Sequence, residues 1–297
     1  MACICLNGEF LDASIPYLDS TNRSFRFGDG LFESIRLVNG KAFNLENHYK
    51  RIVEGLKVLK IQMPLSLTLD KLNELIEMLV ESNGISLGGK IRLSIYRSGA
   101  GTYMPSLMMG HYLIEAEEMA SNYFKLNETG LNVDIYDDVK KPINALAPYK
   151  TANALFYIMA GVNARENGLD DALIVNDNHA IIEATASNIF IVSNGVLYTP
   201  AIEDGCVGGT FRMHLINLAI SQHIKVYECS LAPQNLFAAE EIFLTNAIQG
   251  IQWVSSYKTK RYYCDIAKKL VDMVNARIDI EREDQDEINS IQDFQES

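Results

Sequence analysis

The chain has 297 residues, of which 48% are hydrophobic and 22% charged, as in an ordinary folded protein with one large or two medium domains. No apolar run approaches the roughly 20 residues of a membrane-spanning helix, and we expect neither membrane insertion nor a secretory signal. A formal net charge of −12 argues against nucleic acid as a partner. The five cysteines lack zinc-ligand spacing, so we expect no metal site and a reducing, cytoplasmic location.

The N-terminal part of the chain mixes strand and helix patterns. Asn7-Gly8 and Asn39-Gly40 each lie between short strand-like segments, which predicts two β-hairpins. Asn44 is a suitable N-cap for an amphipathic helix, and a second helix is expected over 69–83. Two adjacent strands are expected in KIRLSIYRSG and HYLIEAEEM. These elements predict a smaller α/β domain over residues 1–119.

The rest of the chain predicts a second, larger domain. The polar stretch at 120–130 is expected to be a linker, and strands alternate with helices over 131–278. One of these helices is expected at 151–166, buried because it is apolar on more than one face. An active site is then expected in the cleft between the domains. Residues 279–297 are strongly acidic and are interpreted as a solvated tail.

Lys150 occupies an unusual place for a lysine. It follows Pro148 and Tyr149 and comes directly before the apolar helical pattern. The positive end of a helix dipole and burial would both lower the pKa of its amine. A partly neutral lysine is the nucleophile that carbonyl chemistry needs. The alternative is a side chain that simply extends into solvent.

Other residues suggest a cofactor that carries a phosphate. Gly208 and Gly209 precede a predicted helix, whose free N–H groups would bind an anion, and TNAIQG at 245–250 could add more donors. Arg51, in the first helix, is a candidate cation for the same anion. Glu183 ends a short apolar strand, where a carboxylate requires a partner. Together with Lys150 this set suits pyridoxal phosphate (PLP), an aldehyde whose protonated ring withdraws electrons.

Five longer motifs occur in one characteristic order between about residues 3 and 275. They are RSFRFGDGLFESIRLVNGKAFNLENHYKRI, YKTANAL, IIEATASNIFIVSNGVLYTP, GGTFR and TNAIQGIQWV. In these motifs the chain resembles the class IV aminotransferases, the fold-type IV PLP enzymes. The resemblance implies a two-domain α+β or α/β fold with PLP in the interdomain cleft. It also implies a homodimer that acts on a small amino compound.

The resemblance implies roles for individual residues. Lys150 resembles the catalytic lysine bonded to the cofactor aldehyde, and Glu183 resembles the carboxylate that faces the pyridine nitrogen. The residues that resemble the phosphate-binding set are Arg51, Gly209, Thr210, Asn246 and Ala247.

Substrate-binding residues are implied less directly. Phe32 lies in FGDGLFE, where the family lines its substrate pocket, and Arg97 lies on the strand that leads to the substrate loop. An arginine that the lyase and the D-amino acid enzymes usually carry in that loop is absent from GAGTYMP. Arg92, close to where branched-chain enzymes hold an arginine, is the candidate replacement.

The motifs favour one activity within the family. FGDGLFE and Asn153 resemble both 4-amino-4-deoxychorismate lyase and the D-amino acid enzyme, and the TNA–IQWV motif resembles the lyase best. Leu155 stands where branched-chain enzymes have a cofactor-binding tyrosine. We therefore expect a lyase that eliminates pyruvate to give p-aminobenzoate in folate synthesis. The alternative is an aminotransferase of the branched-chain or D-amino acid type with 2-oxoglutarate as acceptor. A PLP-fold binding protein without catalysis is the alternative from another class.

Overall fold

The protein is described by a computed structural model that covers residues 2–279. Residues 280–297, most of the predicted acidic tail, lie outside the described residues. No helix within the described range is long and apolar enough to cross a membrane.

The first sheet has six antiparallel strands in the spatial order β2-β1-β6-β5-β3-β4. They are β1 (Cys3–Leu6), β2 (Glu9–Asp12), β3 (Gly30–Val38), β4 (Lys41–Ala42), β5 (Gly88–Arg97) and β6 (Gly110–Met119). Both hairpin predictions are confirmed, because Asn7 and Asn39 and the glycines after them take the positive φ angles of tight two-residue turns. The predicted pairing of β5 with β6 is also confirmed.

Helices cover one face of this sheet and leave the other face free for a site. They are α1 (Arg23–Phe27), α2 (Leu45–Leu59) and α3 (Leu69–Ser82). Leu31 and Ile35 of β3 pack with Ile52 of α2 in one core. Because side chains alternate along a strand, Phe32 of β3 and Arg92 of β5 belong to the opposite face.

The second sheet has nine strands. They are β7 (Leu131–Lys141), β8 (Asp171–Asn176), β9 (Ile181–Ala184), β10 (Asn188–Ser193), β11 (Val196–Thr199), β12 (Val226–Glu228), β13 (Glu241–Asn246), β14 (Gly250–Tyr257) and β15 (Lys260–Arg261). The helices around it are α4 (Leu155–Glu166), α5 (Thr210–Ser221), α6 (Pro233–Ala238) and α7 (265–279). The predicted linker at 120–130 joins β6 to β7.

Six strands of the second sheet form a closed ring of pairings. The ring runs β10-β13-β14-β7-β8-β9 and closes where β9 pairs again with β10. Glu183 lies at this closure, opposite Ile174 of β8 on one side and Asn188 of β10 on the other. A residue at the closure is fixed from both sides, so the ring holds this carboxylate at a defined place.

Two predictions about the helix near Lys150 are wrong. The helix begins at Leu155 rather than 151, so Lys150 does not lie beside its N-terminus and the helix dipole does not act on the lysine as predicted. The helix is also not buried: only Ala160 and Ala164 are, whereas Leu155 and Ile158 are 71% and 54% exposed. The apolar pattern therefore lies at the surface as well as in the core.

Candidate active site

A cavity of about 1100 Å³ lies between the two sheets and brings the predicted groups together. Its lining includes residues of β3 and α2 on one side and of the second sheet on the other. The predicted site residues in the lining are Phe32, Arg51, Lys150, Glu183, Gly209, Thr210, Asn246 and Ala247. The cavity therefore contains both the amine and the expected phosphate-binding turns.

Lys150 is held by a short backbone pairing with β3. Lys150 O accepts a hydrogen bond from Phe32 N at 2.9 Å, and Ala152 N donates to Gly30 O at 2.9 Å. Gly30 also packs closely against β5, where a Cβ would lie 2.5 Å from Ile95 O. The lysine thus projects from an irregular segment tied to the first sheet, with its Nζ 4.4 Å from the centroid of the Phe32 ring.

The environment of Lys150 makes its ammonium group easier to deprotonate. Burial lowers the pKa of Lys150 from the usual 10.5 to about 8, and Arg51 adds to the effect by its positive charge. Within residues 2–279 no carboxylate lies close enough to form an ion pair with Lys150. The lowered pKa expected from the sequence is therefore present, and burial is one of its causes as expected, with Arg51 in place of the helix dipole as the other.

The start of α5 forms the end of the cavity where the sequence predicts the phosphate to bind. Gly209 is the N-cap residue and has no side chain, so the first N–H groups of the helix have no side-chain cap. A Cβ on Gly209 would lie 2.0 Å from Asn188 Oδ1, which explains the need for glycine there. Thr245 Oγ1 is buried in the same lining and has no partner among the described residues.

Arg51 is fixed by a network that sequence reasoning missed. Its Nε and one NH2 group donate to the two oxygens of Glu33 at 2.7 and 2.6 Å, and NH1 donates to Gly208 O at 2.8 Å. Burial alone would raise the pKa of Glu33, but Arg51 and His48 outweigh it and lower the pKa to about 2. A guanidinium has five N–H donors, so two remain for an anion in the cavity.

His48 connects this network to Thr210. Its Nδ1 lies 2.8 Å from Glu33 Oε2, and its Nε2 lies 3.2 Å from Thr210 Oγ1. Burial lowers the pKa of His48, so the ring is neutral, Nδ1 donates to Glu33 and Nε2 accepts from Thr210. The H-x-x-R spacing places His48 and Arg51 on one helix face, and that spacing was the available signal.

Glu183 receives three hydrogen bonds from the protein. Lys141 Nζ donates to Oε1 at 2.6 Å, Tyr157 OH donates to Oε1 at 3.0 Å, and Val207 N donates to Oε2 at 2.8 Å. Burial and the Glu183 charge raise the pKa of Tyr157, so its hydroxyl remains protonated as a donor. Neither Lys141 nor Tyr157 was predicted, since KK before a proline resembles a solvated strand end.

The two candidate substrate arginines differ in placement. Arg92 is exposed, outside the cavity lining proper, with its guanidinium carbon 4.1 Å from the centroid of the Phe32 ring. Arg97 does not line the cavity: it is buried and donates to Asp29 and to the carbonyl oxygens of Leu59 and Lys60. Since these bonds anchor the end of α2, the geometry does not support the predicted substrate contact of Arg97.

The chain is similar to proteins of known class over most of its length. A family model, amino-transferase class IV, matches residues 30–257. A protein of Methanocaldococcus jannaschii, provisionally named a branched-chain-amino-acid aminotransferase, is 30% identical over 251 residues, 84% of this chain and 85% of that protein. The D-alanine aminotransferase of Bacillus licheniformis is 25% identical over 261 residues, 85% of this chain and 87% of that one.

Solved structures give the same picture. The branched-chain aminotransferase of Thermoproteus uzoniensis with norvaline has a TM-score of 0.84 at 25% identity, over 93% of this chain and 94% of that one. A Legionella pneumophila protein, provisionally named a 4-amino-4-deoxychorismate lyase, has a TM-score of 0.79 at 27% identity, over 89% and 97% of the two chains. The first sheet, the ring of strands and the cavity between them thus form a known arrangement.

Proposed function

The chain belongs to the class IV aminotransferases, enzymes that use PLP, and on that premise we propose that it transfers the amino group of an α-amino acid to a 2-oxo acid. The observation that supports this proposal is that the reactive amine and a cation contact the same aromatic ring and that the charge of this cation acts on the amine. Lys150 Nζ and the Arg92 guanidinium both lie near the Phe32 ring, at 4.4 and 4.1 Å from its centroid. An α-amino acid carries a carboxylate beside its amine, which matches such a pair.

The donor set of the cavity fits PLP. The start of α5, the two remaining N–H groups of Arg51 and the orphaned Thr245 hydroxyl suit a phosphate dianion. Glu183 suits a protonated ring nitrogen, and Lys150 suits an aldehyde. When bound, PLP supplies an electron-withdrawing ring next to the substrate amine.

The residues of the chain would divide the remaining work. Lys150, as a neutral amine, takes the proton from the α-carbon and returns it. Arg92 orients the substrate through its carboxylate, and the Phe32 ring excludes water from that side. Glu183 holds a hydrogen bond to the ring nitrogen, and Arg51 anchors the phosphate end.

The test is turnover of a panel of L- and D-amino acids with 2-oxoglutarate, read as glutamate formed. We expect activity with at least one member of the panel and none in Lys150→Ala. Absence of glutamate with every amino acid would reject the aminotransferase assignment.

A second candidate is 4-amino-4-deoxychorismate lyase, and one observation favours it. Leu155 stands where branched-chain enzymes have a cofactor-binding tyrosine, and its side chain is mostly exposed. The lyase needs no acceptor, so incubation with 4-amino-4-deoxychorismate alone should release pyruvate and p-aminobenzoate. These products without glutamate formation would replace the first proposal with the lyase of folate synthesis.

We further propose that the protein is a cytoplasmic homodimer. Its five cysteines are all free, as expected in a reducing compartment. The exposed apolar stripe of α4, made of Leu155, Ile158, Met159 and Val162, borders the cavity, where Leu155 and Met159 are lining residues. Sedimentation should show a dimer that Ile158→Asp weakens, whereas Ile220→Asp, at a similarly exposed position on α5, should not. A monomeric wild-type protein would contradict the assembly.

A further inference from the structure

Glu183 has little capacity left to accept hydrogen bonds. Each carboxylate oxygen offers two acceptor positions, and Oε1 is filled by Lys141 Nζ and Tyr157 OH. Oε2 accepts one bond, from Val207 N at 2.8 Å. One acceptor position therefore remains, on Oε2, in a side chain that is only 3% exposed and lines the cavity.

Lys141 connects this carboxylate to the segment that carries the reactive lysine. It ends β7, where the register with β8 shifts, and its side chain is 7% exposed. Besides the 2.6 Å ion pair with Glu183, its Nζ donates to Ala147 O at 2.9 Å. Ala147 lies three residues before Lys150, so one ammonium group links Glu183 to that segment.

Lys141 supplies the positive charge that faces Glu183 in this buried position. A buried carboxylate without a cation is costly and takes up a proton instead. A protonated, neutral Glu183 would no longer stabilise the protonated form of a basic group beside it. The ammonium at 2.6 Å provides the opposite charge that a buried carboxylate needs.

We propose that Lys141 is a positioning residue that keeps Glu183 ionised and correctly oriented. The one free acceptor position on Glu183 Oε2 is then available to the protonated ring nitrogen of PLP. Lys141 itself contacts neither substrate nor the reacting atoms in this assignment. The inference rests on the PLP cofactor and not on which amino compound is the substrate.

The direct test is nitrogen NMR of the holoenzyme loaded with PLP that is ¹⁵N-labelled in the ring. In the wild type we expect the chemical shift of a protonated pyridine. In Lys141→Met and Lys141→Gln the shift should move towards the unprotonated value, and Lys141→Arg should restore it. Lys141→Gln keeps amide donors but no charge, so it decides the outcome if the Met variant does not fold.

A second readout is the dissociation constant of PLP from the reconstituted enzyme. Loss of a charge-assisted contact should raise it about tenfold in Lys141→Met, and Lys141→Arg should stay within about threefold of the wild type. Lys140→Met is the matched control, since Lys140 contacts only Asp137 and His179 at the surface among the described residues, and it should change neither readout. In a Glu183→Gln background, Lys141→Met should raise the dissociation constant of PLP by a further factor of less than about two, because the two residues act as a unit.

Two results would overturn the assignment. One is a ¹⁵N chemical shift typical of a protonated ring nitrogen in both Lys141→Met and Lys141→Gln. That result would show that Lys141 has only a structural role, even if the melting temperatures of both variants fall. The other is an effect of Lys141→Met that is equally large with and without Glu183. A failure of the aminotransferase proposal is distinguishable, because these measurements use PLP without any amino substrate.

Discussion

Lys150 and Lys141 line the same cavity, but among the described residues only Lys141 has a carboxylate within ion-pair distance. Lys141 forms a buried ion pair with Glu183 and donates to Ala147 O. Lys150 has no ion pair among residues 2–279, and its charged surroundings include Arg51 and Arg92. Burial and these cations lower the pKa of Lys150 to about 8.

The difference shows that burial alone does not make a lysine reactive. Both amines are largely withdrawn from water, but Lys141 has a carboxylate oxygen at 2.6 Å. At Lys150, burial and the charges of Arg51 and Arg92 outweigh Glu33 and Glu183, which lie beyond ion-pair distance, and lower the pKa. The position of the carboxylate therefore decides which amine is the nucleophile. The predictions below test that division between Lys150 and Lys141.

The largest expected effect is that of Lys150→Ala. Loss of the amine should reduce turnover at least about 10³-fold, because proton transfer at the α-carbon loses its base. Peptide mass spectrometry after PLP and borohydride treatment should find the cofactor on Lys150 in the wild type and on no lysine in the variant. Lys140→Ala is the control and should retain wild-type activity. Cofactor on the Lys141 peptide in Lys150→Ala would break the comparison, since the ion-paired lysine would then be reactive.

Gly209→Ala tests whether PLP binding also depends on the start of α5, where the phosphate is expected. The new Cβ would lie 2.0 Å from Asn188 Oδ1, and Asn188 cannot easily move because its Nδ2 donates to Val207 O at 2.8 Å. We expect a loss of about 1–3 kcal/mol in the free energy of unfolding. The displaced start of α5 should also raise the dissociation constant of PLP about tenfold.

Gly208→Ala is the matched control for this prediction. A Cβ on Gly208 would meet Pro148 O at 3.7 Å and Ile202 Cδ1 at 3.8 Å, which are ordinary contacts. Its free energy of unfolding should stay within about 0.5 kcal/mol of the wild type by chemical denaturation. Equal losses in the two variants would show that the position of Gly209 against Asn188 is unimportant.

The sequence predicted the parts of this molecule that depend on local chemistry. The hairpins at Asn7 and Asn39 follow from residues that tolerate positive φ, and the cavity contains Lys150 and Glu183 as expected from their motifs. The parts it missed depend on contacts between distant residues. Lys141 meets Glu183 across 42 positions, after a register shift between β7 and β8 that the sequence does not reveal.

Of the two causes expected to lower the pKa of Lys150, burial is confirmed, but the helix dipole is not, because the helix begins farther along the chain. A helix end is a local property, and the sequence pattern placed one beside Lys150. The backbone pairing with Gly30 and Phe32 keeps the segment extended, and α4 begins only at Leu155. The charged neighbours that replace the dipole, Arg51 above all, come from the first half of the chain.

Arg92→Gln should have a smaller effect, and on substrate rather than cofactor. If Arg92 holds the substrate carboxylate, its loss should raise KM for the best amino acid about tenfold, with a smaller change in kcat. The dissociation constant of PLP should not change. Arg97→Gln offers a contrast: Arg97 donates to Leu59 O and Lys60 O, so its loss should lower the free energy of unfolding rather than change KM. An unchanged KM in Arg92→Gln would remove the carboxylate role and weaken the case for an α-amino acid.

The smallest effect concerns the pH at which Lys150 becomes reactive. Only the neutral amine reacts with trinitrobenzenesulfonate, so labelling of Lys150 in the apoprotein should rise about tenfold per pH unit and level off near pH 8. Lys141, buried and ion-paired, should be labelled far more slowly at each pH. Arg92→Gln removes a cation that lowers the pKa of Lys150, so its plateau should begin at a slightly higher pH.

The same lowered pKa has a consequence for stability, with a defined sign. The folded-state pKa of Lys150, about 8, lies below the usual 10.5, so between these pH values the unfolded chain binds the proton and the folded chain does not. The free energy of unfolding of the apoprotein should therefore rise with pH across this window relative to that of Lys150→Met. Below pH 8 the difference between the two proteins should no longer change with pH. Denaturant titrations of both proteins at matched pH measure it. Parallel curves through the window would mean that Lys150 remains an ammonium in the folded protein, and the contrast with Lys141 would then lose its basis.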